Sequence, residues 1–267
     1  MNSRNRTLLT LAIAGVAMVF TMSVVPTHAA WVSYHDFGET AALGGNITVH
    51  TIGTAESTNE LNTSPVQLIQ FSDGALTDVS VTVANANGTD LRAGNSDAPA
   101  VADPANALFN GVGLGFGTGL VFEGGNGGPP GTTFTLGGLD PSKRYDLAFV
   151  GGRLVSADNP DPFVLSGVDG TPTNASSSGV VDAFTTLQET RGDPVPGEFI
   201  RWTDINPGAD GNIVVTMSPE DVGLGGADRN LAYIMAMRLE EVPEPSTLAL
   251  AAFGLLGLIG FGRRRKR

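Results

Sequence analysis

From Trp31 to Glu240 the chain is broken into short alternating runs by clusters of Gly, Pro, Asn and Asp, which leaves little room for anything but strands and tight turns. The runs that read as strands are Ile47–Ile52, Val66–Phe71, Val79–Ala84, Thr132–Leu136, Tyr145–Gly151, Phe163–Val168, Val180–Thr185, Glu198–Thr203, Asn212–Met217 and Ala232–Leu239. Period two is clearest in Tyr145, Leu147 and Phe149 and in Tyr233, Met235, Met237 and Leu239, so each set is expected to face a core. Asp140-Pro141-Ser142 has the chemistry of a turn between strands, and Asp210-Gly211 is a tight-hairpin dipeptide. One short helix fits Asp103 to Phe109, with Asp103 as its N-cap and Pro104 in its first turn. The stretch from Gly111 to Gly131 reads as a loop, because phosphate-binding glycine loops need a helix directly after them and the next run is β-like. The expected fold class is all-β, a sandwich over residues 30–241 with no second domain boundary.

Charge narrows the function. All 27 acidic residues lie between Asp36 and Glu244, where only Arg92, Lys143, Arg144, Arg153, Arg191, Arg201, Arg229 and Arg238 oppose them, a net charge of −19. The other seven basic residues sit at the two ends. Such a body repels nucleic-acid phosphates and anionic lipid headgroups, which excludes nucleic acid as a partner; its charge suits solubility outside the cell. The chain has no Cys, which removes thiol catalysis, Cys-based zinc sites and disulfide staples. A body of roughly 210 residues buries enough surface to stand without staples.

Residues 1–29 have the three parts of a secretory signal peptide: Arg4 and Arg6, an apolar run from Leu8 to Val25, then Pro26-Thr27-His28-Ala29-Ala30. Signal peptidase needs small side chains at −3 and −1, so a cut between Ala29 and Ala30 suits it. The other end reads Val242-Pro243-Glu244-Pro245-Ser246, an apolar stretch from Thr247 to Gly262, then Arg263-Arg264-Arg265-Lys266-Arg267. Sixteen apolar residues give a helix of about 24 Å against a hydrocarbon core of about 30 Å, short for a permanent span. Arginine stems that snorkel make up part of the difference. The five cations stay on the cytoplasmic side, which leaves the body outside and the tail tip inside. Pro243 and Pro245 prevent helix at that point and hold an extended segment where a membrane-embedded protease can reach it.

The tripartite pattern over residues 242–267, a Pro-Glu-Pro motif, a short transmembrane helix and an Arg-rich tail, resembles the PEP-CTERM sorting domain. That resemblance implies recognition by an exosortase, removal of the tail near Pro243, Glu244 and Pro245, and delivery of the body to the cell envelope or beyond, in bacteria that make extracellular polysaccharide. The body resembles a β-sandwich domain of exported PEP-CTERM proteins of planctomycete-type bacteria. The resemblance is carried by Phe134–Leu147, Ala209–Val215 and Ala232–Leu239. It implies a galactose-binding-like jelly roll and speaks to fold, since these pieces are turns and core strands.

No catalytic constellation stands out. Beyond the leader there are two histidines, His35 and His50, no Gly-x-Ser-x-Gly elbow, and both histidines lie early. His35 and Asp36 are neighbours, but adjacent strand residues point to opposite faces. Glycoside hydrolysis needs two carboxylates about 5–9 Å apart in a cleft; with two Trp and three Tyr, a deep aromatic-lined sugar cleft is poorly supplied. Calcium takes oxygen ligands from turns, and Asp158, Asp161, Asp204 and Asp210 lie in turn-like segments that match no EF-hand pattern; ordinary turn chemistry is the preferred reading of them. Trp31, Tyr34 and Trp202 could stack on sugars, with Trp202 placed in the core by its alternating strand. No resident cofactor or metal is expected apart from that calcium alternative. The function expected is an exported, non-enzymatic envelope or extracellular-matrix protein processed by signal peptidase and exosortase, held transiently in the membrane and meeting extracellular polysaccharide. The alternatives are a carbohydrate-binding module, with or without calcium, and an extracellular hydrolase.

Overall fold

In the computed structural model the described residues are 31–37, 45–49, 65–85, 90–94, 104–110, 119–123, 132–150, 160–189, 199–217 and 231–243. They form sixteen strands: β1 (Val32–Asp36), β2 (Thr48–Val49), β3 (Val66–Ile69), β4 (Leu76–Asn85), β5 (Asp90–Gly94), β6 (Gly119–Glu123), β7 (Thr132–Gly137), β8 (Arg144–Val150), β9 (Pro160–Ser166), β10 (Thr173–Asn174), β11 (Gly179–Val180), β12 (Thr185–Glu189), β13 (Phe199–Ile205), β14 (Ile213–Met217), β15 (Leu231–Ile234) and β16 (Ala236–Val242). A single short helix, α1 (Pro104–Phe109), lies between β5 and β6. The described residues are therefore mostly β with almost no helix, consistent with an all-β sandwich, and Trp31–Val242 forms one unit of the chain.

Two sheets share the main core. One runs β10-β13-β8-β16-β1-β2, the other β11-β12-β9-β14-β7-β4-β3, and a third, smaller sheet runs β15-β6-β5. All pairings are antiparallel except β1 with β2. Alternation decides what each strand of the second sheet buries. Thr132–Gly137 and Ile213–Met217 bury every second residue, and Phe134, Leu136, Ile213, Val215 and Met217 are at most marginally accessible. Phenylalanines then tie the sheets together across the core. Phe37 packs on Phe134 at 5.6 Å between ring centroids, Phe134 on Phe149 at 5.3 Å, and Phe149 on Phe163 at 6.4 Å, drawing alternately from the two sheets.

The first sheet is buried on both faces at its centre. Its inner face gives Tyr145, Leu147, Phe149, Met237 and Leu239 to the main core. On its outer face Tyr34, Ala148, Val150 and Ala236 pack with Ala105 and Phe109 of α1, which stand one helical turn apart. Pro104 opens that helix, where its missing N–H costs nothing. Asn110 ends it in the left-handed region at φ 54°. The N-cap expected at Asp103 lies outside the described residues.

Several sequence expectations need correction. The segment Gly111–Gly131 is not all loop: Gly119–Glu123 is a strand paired on both sides, by β5 and β15. Its apolar run Leu120-Val121-Phe122 is hidden by the glycines around it. Val180–Thr185 is not one strand. Val180 ends β11, Thr185 begins β12, and Asp182 Oδ1 accepts the N–H of Phe184 and of Thr185 at 2.7 Å each, closing a turn. Ala232–Leu239 is two strands, split at Met235, where the chain passes from the third sheet to the first. The split shifts the alternation by one. Ile234 joins the main core with Met237 and Leu239, and Met235 is buried in the outer cluster beside α1. The expected strand Ile47–Ile52 is seen only as Thr48–Val49, the residues after it being outside the described set.

Candidate functional site

The last strand of the body runs without a linker into the segment read as a sorting signal. Met237 and Leu239 are fully buried, and they fix β16 between β8 and β1. On one side Glu240, Glu241 and Val242 stand opposite Asp146, Tyr145 and Arg144. On the other, Val32 pairs with Glu240, and the Glu241 N–H donates to the Trp31 carbonyl oxygen at 3.0 Å. Pro243 follows at once, exposed, and has no N–H with which to continue the ladder.

Two side chains consolidate this end of the sheet. The Trp31 ring lies 6.3 Å from that of Tyr145 and packs partly buried on the main core. Tyr145 is 1% exposed, and its hydroxyl accepts the Asp140 N–H at 3.0 Å. Burial pushes the Tyr145 phenol up to about 12; the Asp140 N–H works against that shift, and the charges of Glu241 and Asp140 add to it. Asp140 itself caps the turn to Ser142, accepting both the Ser142 N–H at 2.9 Å and its hydroxyl at 2.8 Å. Those hydrogen bonds, the backbone one first, hold its carboxyl below the ordinary range.

Beyond the part covered by α1, the outer face of the first sheet is charged. Arg201 Nη2 meets Asp146 Oδ2 at 2.7 Å, and Asp146 Oδ1 also accepts the Asp204 N–H at 3.1 Å. Arg238 Nη2 meets Glu240 Oε2 at 2.6 Å. The sheet register sets Arg201 and Arg238 on either side of Ala148. Asp204 sits in a bulge of β13 at φ 58°, with its carboxylate 3.6 Å from Arg144 Nε.

The residues singled out in the sequence are scattered. Asp210 caps its own turn, accepting from the N–H of Asn212 at 3.2 Å and from its amide at 3.1 Å. Asp204 faces Arg144, Asp161 is a β9 residue whose side chain lies outside the described set, and Asp158 lies outside it altogether. Among the described residues no group of three His, Cys, Asp or Glu could hold a metal ion. His35 is buried and stacked on Phe37 at 4.4 Å, while Asp36 points to the other face of β1. Trp202 is fully buried in the main core. Tyr34 is 5% exposed, edge-on to Phe71 at 5.0 Å. Neither forms an open platform for a sugar ring. The signal-peptidase residues Ala29 and Ala30, the motif residues Glu244 and Pro245, the apolar stretch and the basic tail lie outside the described residues. Among the described residues no helix is long and apolar enough to cross a membrane.

Residues 241–266 match the family described as the PEP-CTERM protein-sorting motif. The match supports exosortase-dependent sorting of an exported, envelope-associated protein. No curated protein matches the chain. Among solved structures it is similar to the enzymatically active domain of tailspike protein 4 of bacteriophage CBA120, at 13% identity and a TM-score of 0.33, over 61% of this chain. The chain spans 19% of that protein's length, and so slight a likeness bears on neither fold nor activity.

Proposed function

We propose that this is an exported, non-catalytic protein of the cell envelope or extracellular matrix, released from the membrane by an exosortase. In this reading signal peptidase frees the N-terminus near Ala29 and Ala30. The stretch from Thr247 to Gly262 holds the body at the outer face of the cytoplasmic membrane with Arg263, Arg264, Arg265, Lys266 and Arg267 inside, and removal of the tail hands over the sandwich. The body is taken to be a jelly roll of the galactose-binding-like kind, working beside extracellular polysaccharide.

One observation carries the proposal: the matched signal begins on the last two residues of a central strand, so a complete sandwich is joined directly to its sorting label. The charge of the body fits a surface that stays dispersed outside the cell. The test is immunodetection by fraction of the full chain and of a chain ending at Pro243, in hosts with and without an exosortase. The full chain should lose mass and reach the envelope only where the enzyme is present. Identical mass and partition of both chains in every host would sink the reading.

A further inference from the structure

We propose that the outer face of the second sheet is a contact surface for an uncharged, ordered polysaccharide lying across β4, β7, β14 and β9; this rests on the reading above of a body that works beside such polymers.

Strand register builds this face from two rows. Ala84, Thr133, Thr216 and Val164 stand side by side across the four strands, and Thr82, Thr135, Val214 and Ser166 form the next row. Their chain neighbours Val83, Phe134, Val215 and Leu165 belong to the main core, so these eight point away from it. Each is exposed or half-exposed, Val164 by 39%. Strands about 4.8 Å apart, with same-face residues about 6.8 Å apart, make a regular grid of methyls and hydroxyls. Among the described residues the hydroxyls of Thr82, Thr133, Thr135 and Thr216 enter no hydrogen bond, and that of Ser166 reaches only the Val214 carbonyl, at 3.5 Å. The β-branched side chains are stiff, so holding them against a partner costs little entropy.

Charge and area select the occupant. The body has a net charge of −19, yet none of the eight positions carries a charged side chain. An acidic polymer is repelled by the body as a whole, whereas an uncharged one buries no charge on this face. A second copy of the chain needs more surface than the grid offers. With half a spacing added on every side the grid covers about 260 Å², against roughly 600–800 Å² buried by each partner of a stable dimer. A repeating polymer makes good a small contact by holding many copies at once. Its hydroxyls and C–H faces match the free threonine hydroxyls and the methyls beside them.

The full chain, purified in mild detergent, is spun with cellulose particles, with insoluble β-1,3-glucan and with carboxymethylated cellulose, each at low and high salt. The native chain is expected to sediment with at least one of the two uncharged polymers, equally at both salt levels, and not with the carboxymethylated one. Thr135→Glu puts a charge inside the grid and should lower the bound fraction about fivefold or more. Val164→Glu, at an exposed position, should do the same, and matched urea midpoints establish that both variants fold. Thr135→Ser and Ala209→Glu, the latter in the turn after β13, should bind as the native chain does. Native binding that survives both grid variants, is lost equally in Ala209→Glu, or disappears at high salt overturns the assignment of this face. Conversion of a dimer to a monomer by Thr135→Glu, read by sedimentation velocity, gives the face to a second copy and overturns it too. A native chain that binds none of the three polymers sinks the polysaccharide reading along with the face; the sorting reading stands or falls on tail removal alone.

Discussion

The backbone N–H of Glu241 donates to the carbonyl oxygen of Trp31 at 3.0 Å, so the first and last strands of the sandwich meet side by side. The two residues are more than two hundred positions apart in sequence. Closing them completes the first sheet, because β1 has only β16 and the two-residue β2 as neighbours. The start of β1 and the end of β16 thus lie at the same end of adjacent strands.

A chain ending at Pro243 is expected to unfold in urea at the midpoint of the full body. Ending it at Glu240 removes the pairing of Glu241 and Val242 and the bond to Trp31, and should cost about 1–3 kcal/mol at roughly 1 kcal/mol per hydrogen bond. Equal midpoints for the two truncations would show that the strand end contributes nothing.

Phe149 is fully buried and bridges Phe134 and Phe163 across the core. Phe149→Ala should destabilise by about 3–5 kcal/mol. Val180, 49% exposed, should tolerate Ala within about 0.5 kcal/mol. Chemical denaturation of both variants checks the contrast.

Asp146→Ala strips the Arg201 guanidinium and the Asp204 N–H of an acceptor at a site where the carboxylate is 12% exposed, and should cost about 1–3 kcal/mol. Arg144→Ala breaks an ion pair whose partners are 47% and 73% exposed, and should cost under about 1 kcal/mol. Equal losses by denaturation would refute the assignment of Asp146 as the anchor of this face.

Tyr145 makes the alkaline limb steep. Its folded pKa of about 12 lies above the ordinary value of 10.0, so the folded state holds the proton more tightly. The stability this supplies is complete below pH 10 and is lost as pH rises from 10 through 12, to a total of about 2–3 kcal/mol. Tyr145→Phe should flatten that limb, while losing about 1 kcal/mol near neutrality with the acceptor for Asp140. The acid limb has the opposite sign: Asp140 and Asp182 are held below the ordinary carboxyl value of 3.8 by hydrogen bonds, so their contribution is present above it and fades as pH falls. Denaturation midpoints across pH test both limbs.

Gly211 adopts φ 67°, and a Cβ there would collide with the Leu139 carbonyl oxygen. Gly170 has φ 76° with open space around it. Gly170→Ala should cost about 1–2 kcal/mol, the left-handed penalty alone, and Gly211→Ala clearly more. Thermal melts that reverse this order would contradict the turn geometry.

The second sheet was the most legible part of the sequence. Phe134 and Leu136, or Ile213, Val215 and Met217, alternate with half-exposed partners because only one face of that sheet is core. The first sheet was harder. Val32-Ser33-Tyr34-His35-Asp36 is buried on both faces, under the second sheet on one side and within reach of α1 on the other, so it carries polar residues where a one-sided strand would alternate. Its sequence offers a His–Asp neighbour pair and Tyr34 but no alternation that marks a strand. Leu231–Val242 misled for another reason: the change of sheet at Met235 inserts one residue into an otherwise regular period. The sorting signal could be read from Pro243-Glu244-Pro245, its apolar stretch and the basic tail, since its chemistry is local. The bond between Glu241 and Trp31 could not be read, because that depends on which strands pair.

Both large sheets are bordered by very short strands. β2, β10 and β11 have two residues each, and β3, the remaining border, is four residues long with a shift of register between Gln67 and Ile69. Such borders give a neighbouring molecule almost no backbone on which to template a further strand. At the described borders of the two large sheets, contacts between copies therefore fall to side chains and not to an added strand.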